Sequence, residues 1–291
     1  MDSNEPKASE DCRISAAFND PFAHDPSVQP TLTPLWREAG WAADWFKLRF
    51  SSVYSGAGLQ RGQREPVMLI PGFMAGDFLM LELHRWLKRL GYRSYLSNIV
   101  WNNDCPDLTA RALALRAQRI GEECGMRVRL VGHSLGGMLA KSLVQDHPHL
   151  VDRVITLGSP FRSFVRAHPV VVGLWDQLKR AQSGVVGRNL RASCGTGHCL
   201  CPFVRNLLDP QPRAVAQFAV YSRSDGVADW SSCIEDNPTH NTEVHCTHVG
   251  MIFHPEVYRA IAHRLAQPLT GGGAAPSGRQ AHSKEHAHDR R

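Results

Sequence analysis

The sequence predicts an α/β fold, a mostly parallel sheet covered by helices on both faces. Three observations predict it. Short apolar runs closed by turn residues alternate with stretches whose apolar residues recur at helical spacing. One such run, Arg127 to Val131, leads directly into Gly132-His133-Ser134-Leu135-Gly136 and then into a helical pattern. Finally, 43% of the 291 residues are hydrophobic, enough for one large domain with its own core.

Taken in order, residues 1–30 are rich in Asp, Glu, Ser, Asn and Pro and are expected to form a flexible arm. Leu35 to Phe50 gathers Trp36, Trp41, Trp45, Phe46 and Phe50 in one predicted helix. Pro66 to Phe73 is a short apolar run closed by Pro-Gly, a buried-strand signal. Phe78 to Leu90 has helical spacing and stops at Gly91. Tyr92 to Val100 follows as a second strand and Leu108 to Cys124 as a second helix. After the strand Arg127 to Val131 come a helix over Met138 to Gln145 and a strand over Arg153 to Leu157. The last strands are expected over Ala216 to Tyr221 and Glu243 to His245, before a helix from Pro255 to Leu265. Strands joined through helices require right-handed crossovers, hence the parallel sheet. The domain is placed at 31–269 and a polar, Gly- and His-rich tail at 270–291. Its His282, His286 and His288 read as a disordered tail rather than a metal site. Between Phe161 and Pro212 the rhythm breaks, and this 161–212 insertion is expected to be a lid or cap. Its Phe161, Val165, Val170 to Val172 and Trp175 either line an acyl pocket or pack among themselves.

Several function classes fall away. The net charge of +6 is mild, and no basic stripe with interleaved aromatics exists, so nucleic acid is not an expected partner. No apolar run reaches the roughly 20 residues that span a bilayer. The start, Met-Asp-Ser-Asn-Glu, lacks the basic and apolar regions of a secretory signal, so a cytoplasmic location is expected.

The Gly132–Gly136 pentapeptide fits Gly-x-Ser-x-Gly between a strand and a helix. A serine on so sharp a turn is held in a strained conformation with its hydroxyl above the sheet, and small residues on either side let strand and helix approach. The helix start supplies free N–H groups for developing negative charge. With these residues stand Pro71-Gly72-Phe73, Gly137, Leu157-Gly158-Ser159-Pro160, Ser222-Arg223-Ser224-Asp225-Gly226 and Thr247-His248-Val249-Gly250. In this order, over about Pro66 to Leu265, they resemble the bacterial lipase and esterase branch of the α/β-hydrolases. The first 65 residues and the tail lie outside the resemblance.

That resemblance implies an acid and then a base after the nucleophile Ser134. Asp225, closing the strand that ends at Tyr221, is preferred over Asp229 as the acid. Among His240, His245, His248, His254 and His263, His248 stands just past the last strand and is the expected base, with His254 its competitor. His133 reads as structural. The oxyanion hole is expected from the backbone N–H of Leu135 and of Phe73 or Met74. The implied chemistry is acyl transfer on a small-molecule or lipid ester without cofactor or metal: His248 takes the Ser134 proton, Asp225 stabilises the imidazolium, and His248 then activates water. Passage of the acyl group to another acceptor, or a non-catalytic binding role on the same fold, are the alternatives; Ser134 in place of an aspartate disfavours a haloalkane- or epoxide-type hydrolase.

Three features stay outside that reading. Cys194, His198, Cys199 and Cys201 form a Cys- and His-rich segment whose spacing is not that of a common zinc site, so no metal is expected. A bridge between Cys233 and Cys246 would brace the loop between acid and base, but a reducing compartment argues against it. The aromatic N-terminal helix either touches a membrane or packs on its own domain; without a flanking lysine excess, packing is favoured.

Overall fold

A computed structural model describes residues 33–162, 170, 173, 174, 177, 201–210, 212 and 214–268. The arm at 1–30, the tail at 270–291 and most of the expected lid, with Val165, Val171, Val172, Trp175, Cys194, His198 and Cys199, lie outside the described residues.

Six strands form one parallel sheet: β1 (Pro66–Ile70), β2 (Arg93–Leu96), β3 (Val128–His133), β4 (Val151–Leu157), β5 (Ala216–Tyr221) and β6 (Asn241–Glu243). Their spatial order is β2-β1-β3-β4-β5-β6, with every pairing parallel. The helices are α1 (Trp41–Arg49), α2 (Ser52–Ser55), α3 (Leu81–Arg89), α4 (Pro106–Cys124), α5 (Leu135–Asp146), α6 (Pro202–Leu208) and α7 (Pro255–Ala266). From β1 the chain steps outward through α3 to β2, then returns through α4 to β3 on the other side of β1. Because each crossover is right-handed, this reversal puts α3 and α4 on opposite faces.

The pleat then sorts the core. In β1, Val67 and Leu69 face the layer of Leu83, Trp86 and Leu87 from α3 and Val257 and Ile261 from α7. Met68 and Ile70 face Leu113 and Ala117 from α4 and Leu139 and Leu143 from α5. All five β1 residues are buried, which is why the strand reads as a continuous apolar run. At the lower edge, Arg153 is 1% exposed, pairs with Asp152 and donates to the carbonyls of Arg264 and Gln267 at 2.7 Å each. These bonds satisfy carbonyls that the C-terminal turn of α7 leaves unpaired.

Two expectations need correction. The last strand is Asn241–Glu243, two residues earlier than Glu243 to His245. Apolar Val244 had marked the strand, but its N–H already closes the ladder onto the Tyr221 carbonyl, and His245 turns outward. The N-terminal aromatic segment is a 3-10 turn, Leu35–Gly40, followed by α1, and its seam to the core is made by Leu48, Asp44 and Trp45. Trp36, Phe46 and Phe50 are exposed, and Trp41, partly exposed, meets the Phe253 ring at 5.6 Å. Phe161 is buried with residues of α5 and α6, beneath the Lys141 ammonium.

One packing contact sets a testable limit. A Cβ on Gly136 would stand 2.3 Å from the Ile70 carbonyl oxygen and 2.6 Å from that of Pro71. Both are backbone atoms of the neighbouring strand end and cannot swing aside. Gly136→Ala is therefore expected to lower stability by about 2 kcal/mol or more, seen as a lower urea midpoint at unchanged slope. An unchanged midpoint would show that β1 and α5 are not packed this closely.

Candidate active site

In a doubly wound sheet the crevice opens at the carboxyl edge where the strand order reverses, here between β1 and β3. The loop after β1 carries Phe73 and Met74, and β3 ends one residue before Ser134. Ser134 has φ +53° and ψ −122°, a strained conformation costing about 1–3 kcal/mol for a residue with a side chain. Its N–H donates to the Leu157 carbonyl at 2.8 Å, tying the turn to the end of β4. Leu135 opens α5, so its N–H has no acceptor within its own helix.

The loops after β5 and β6 bring Asp225 and His248 together. His248 Nδ1 donates to Asp225 Oδ2 at 2.7 Å, with both side chains nearly sealed from solvent. Asp225 Oδ1 accepts from the N–H groups of Val227 and Ala228, each at 2.8 Å, which fixes the rotation of the carboxylate. Gly158, with φ +54°, leaves room for the pair. A Cβ there would lie 3.1 Å from Asp225 Oδ2 and 3.2 Å from His248 Nδ1. Burial alone would lower the His248 pKa; the charge and hydrogen bond of Asp225, then Glu38, outweigh it, and the net shift is upward. Among the described residues no closed hydrogen bond joins the Ser134 hydroxyl to His248, a contact that commonly tightens only when substrate binds.

The competing candidates sit elsewhere. Asp229 accepts from the Ser231 N–H and hydroxyl as a turn cap. His254 caps α7 through the Glu256 N–H and has its Nε2 3.9 Å from Asp44. His245 is exposed beside Glu256, and His240 lies against the Phe218 ring. Met74, φ +56°, donates its N–H to the Asn102 carbonyl at 3.0 Å and is thereby occupied.

His133, read as structural, packs against His248. Its Nε2 donates to the His248 carbonyl at 3.0 Å, and the two rings are 4.7 Å apart. Burial, followed by the proximity of His248, pushes its pKa down to about 3, so it stays neutral and adds no charge beside His248. Three other contributors carried no local signal. Asn102, 2% exposed, sews the loop after β1 together: its Nδ2 donates to the Pro71 carbonyl and its N–H to that of Ala75, each at 2.8 Å. Glu38 and Thr33 reach the acid and base loops from the N-terminal segment.

No group of three or more His, Cys, Asp or Glu suited to a metal ion occurs among the described residues. Cys233 and Cys246 are buried free thiols. Nor is any described helix long and apolar enough to cross a membrane.

Comparison with known proteins agrees with this architecture. A family model described as alpha/beta hydrolase fold matches residues 126–194, the stretch that contains β3, the serine turn, α5 and β4. The propeptide-form crystal structure of Bacillus licheniformis lipase BlEst2 superposes with a TM-score of 0.52 at 17% identity, covering 75% of this chain and 54% of that one. Aspergillus fumigatus lipase B gives a TM-score of 0.50 at 16% identity over 72% of this chain and 54% of its own. The chain thus spans about half the length of these two lipases. It has the α/β-hydrolase fold.

Proposed function

We propose that the protein is a serine-dependent carboxylic ester hydrolase that works through an acyl-enzyme on Ser134. The observation that carries this reading is the buried 2.7 Å hydrogen bond from His248 to Asp225 at the sheet edge that also bears Ser134. A non-catalytic binding protein has no need of a sealed carboxylate–imidazole pair beside a strained serine. The lipases that share the fold act in support, by analogy of fold alone.

In this mechanism His248 Nε2 takes the Ser134 hydroxyl proton as the oxygen attacks the ester carbonyl. Asp225 holds the imidazole with its proton on Nδ1 and stabilises the imidazolium. The N–H groups of Leu135 and Phe73 receive the oxyanion. The imidazolium then protonates the leaving alcohol, and the neutral ring activates water to release the acid.

The test is turnover of p-nitrophenyl esters of graded acyl length, alongside labelling by a fluorophosphonate. Hydrolysis together with modification of Ser134 is expected, and the chain-length optimum separates esterase from lipase behaviour. Absence of both would favour a binding protein. Labelling without hydrolysis would instead point to transfer of the acyl group to a different acceptor.

A further inference from the structure

Acid and base sit on separate loops, joined at their roots where the Ser222 hydroxyl donates to the Cys246 carbonyl at 2.6 Å. A segment far upstream joins them again, next to Asp225 and His248 themselves. One carboxylate oxygen of Glu38 accepts from the N–H of Gly226 at 3.0 Å, next to Asp225, and from the N–H of His248 at 3.1 Å. The other accepts from the Val249 N–H at 2.8 Å. Thr33 adds a bond from its hydroxyl to the Ser224 carbonyl at 2.8 Å. A Cβ on Gly226 would lie 2.9 Å from the Thr33 carbonyl oxygen and 3.0 Å from Glu38 Oε1, so residues 33–38 lie directly against the acid loop.

From this geometry we propose that Glu38 is a positioning residue that clamps the Asp225 loop to the backbone of His248 and sets the acid–base distance. The proposal rests on the functional reading above, since it gives that acid and base a purpose. Three N–H groups converging on one carboxylate make charge-assisted bonds, the stronger class, and they link residues of both loops rather than one. The bland alternative is a cap for the short 3-10 turn Val249–Ile252, which begins at these N–H groups. A cap has no reason to engage Gly226 as well.

The protonation of His248 supplies a readout beside the rate. The ionisable groups around His248 are Asp225, bonded to it, neutral His133 beside its ring, and Glu38 behind its backbone. Asp44, on α1 against the same turn, is paired with Lys47. Removing the Glu38 charge takes away one of the influences that hold the His248 pKa up, so the pKa should fall. In Glu38→Gln the amide oxygen can still accept from Gly226 and His248, while the amide nitrogen opposes the Val249 N–H. Glu38→Ala removes all three bonds.

The experiment measures the rate of fluorophosphonate labelling at Ser134 against pH in the full-length wild type, Glu38→Gln and Glu38→Ala, with NMR titration of His248. Glu38→Ala is expected to slow labelling roughly 10- to 100-fold, the scale of a misplaced catalytic pair. Glu38→Gln is expected to lose less and to move the acid limb and the His248 titration to lower pH. Folded variants with wild-type rates, limb and titration, changed only in thermal stability, would reduce Glu38 to a cap and overturn the proposal. Should Glu38→Ala fail to fold, Glu38→Gln carries the test. If the wild type is never labelled, the hydrolase reading fails, and an unmoved His248 titration in Glu38→Gln then decides against the clamp separately.

Discussion

Ser134→Ala is expected to remove ester turnover almost completely, with kcat falling about 10⁶-fold, or roughly 8 kcal/mol of transition-state stabilisation. Among the described residues, the nearby Ser159 hydroxyl cannot substitute. Ser159 is fully buried, and its hydroxyl is spent on the Leu157 carbonyl and packed against Gly137. KM should change little, because the serine oxygen contributes mainly once it bonds the carbonyl carbon. The fold should hold or gain slightly: alanine suffers the same positive φ as serine, and the Ser134 hydroxyl has no closed bond to His248 to lose. Steady-state kinetics with the best p-nitrophenyl ester checks this. A variant retaining a tenth of wild-type activity would mean that another nucleophile, or water acting directly, carries the reaction.

The contrast between what the sequence disclosed and what it hid follows from chain separation. The serine turn was legible because its chemistry is local: strand, glycine, serine, glycine and helix are contiguous, and the close approach of Gly136 to Ile70 enforces them. The order of the sheet edge was legible too, since each candidate follows a strand by a few residues. The preference for Asp225 over Asp229, and for His248 over His254, rested on position relative to those strands, on Gly226 and on the resemblance. The end of the sheet was less readable because β6 is a partly exposed edge strand, Asn-Thr-Glu, with no apolar alternation to mark it.

The clamp was not legible at all. Glu38 and its donors lie 188 and 210 residues apart, and the 3-10 turn that carries it showed only aromatics at helical spacing. Asn102 was hidden for the same reason, since its bond to Pro71 spans 31 residues and a loop asparagine has no distinguishing pattern. The aromatics misled in the opposite direction. Their density suggested burial, yet the seam with the core runs through Leu48, Asp44 and Trp45 and leaves Trp36 and Phe50 outward.

Asp225→Asn should cost about 10⁴-fold in kcat, or roughly 5.5 kcal/mol, and the structure says why a substitution of nearly equal shape is so damaging. Asp225 Oδ1 is held by two donors, the N–H groups of Val227 and Ala228. In the asparagine the single amide oxygen must stay there, because the alternative opposes two donors with an NH₂. The NH₂ is therefore turned toward His248 Nδ1, which can accept it only in the tautomer that carries its proton on Nε2. That is the nitrogen required to take the Ser134 proton, so the base is blocked by its own hydrogen. The lost charge acts on pH as well. Asp225 is the foremost influence holding the His248 pKa up against burial, so its neutralisation lowers that pKa. The acid limb of the residual kcat/KM profile, which reports the free base, should accordingly move to lower pH. Fluorophosphonate labelling across pH reads both effects in one series. A rate within tenfold of wild type and an unmoved limb would show that Asp229 or another carboxylate orients His248.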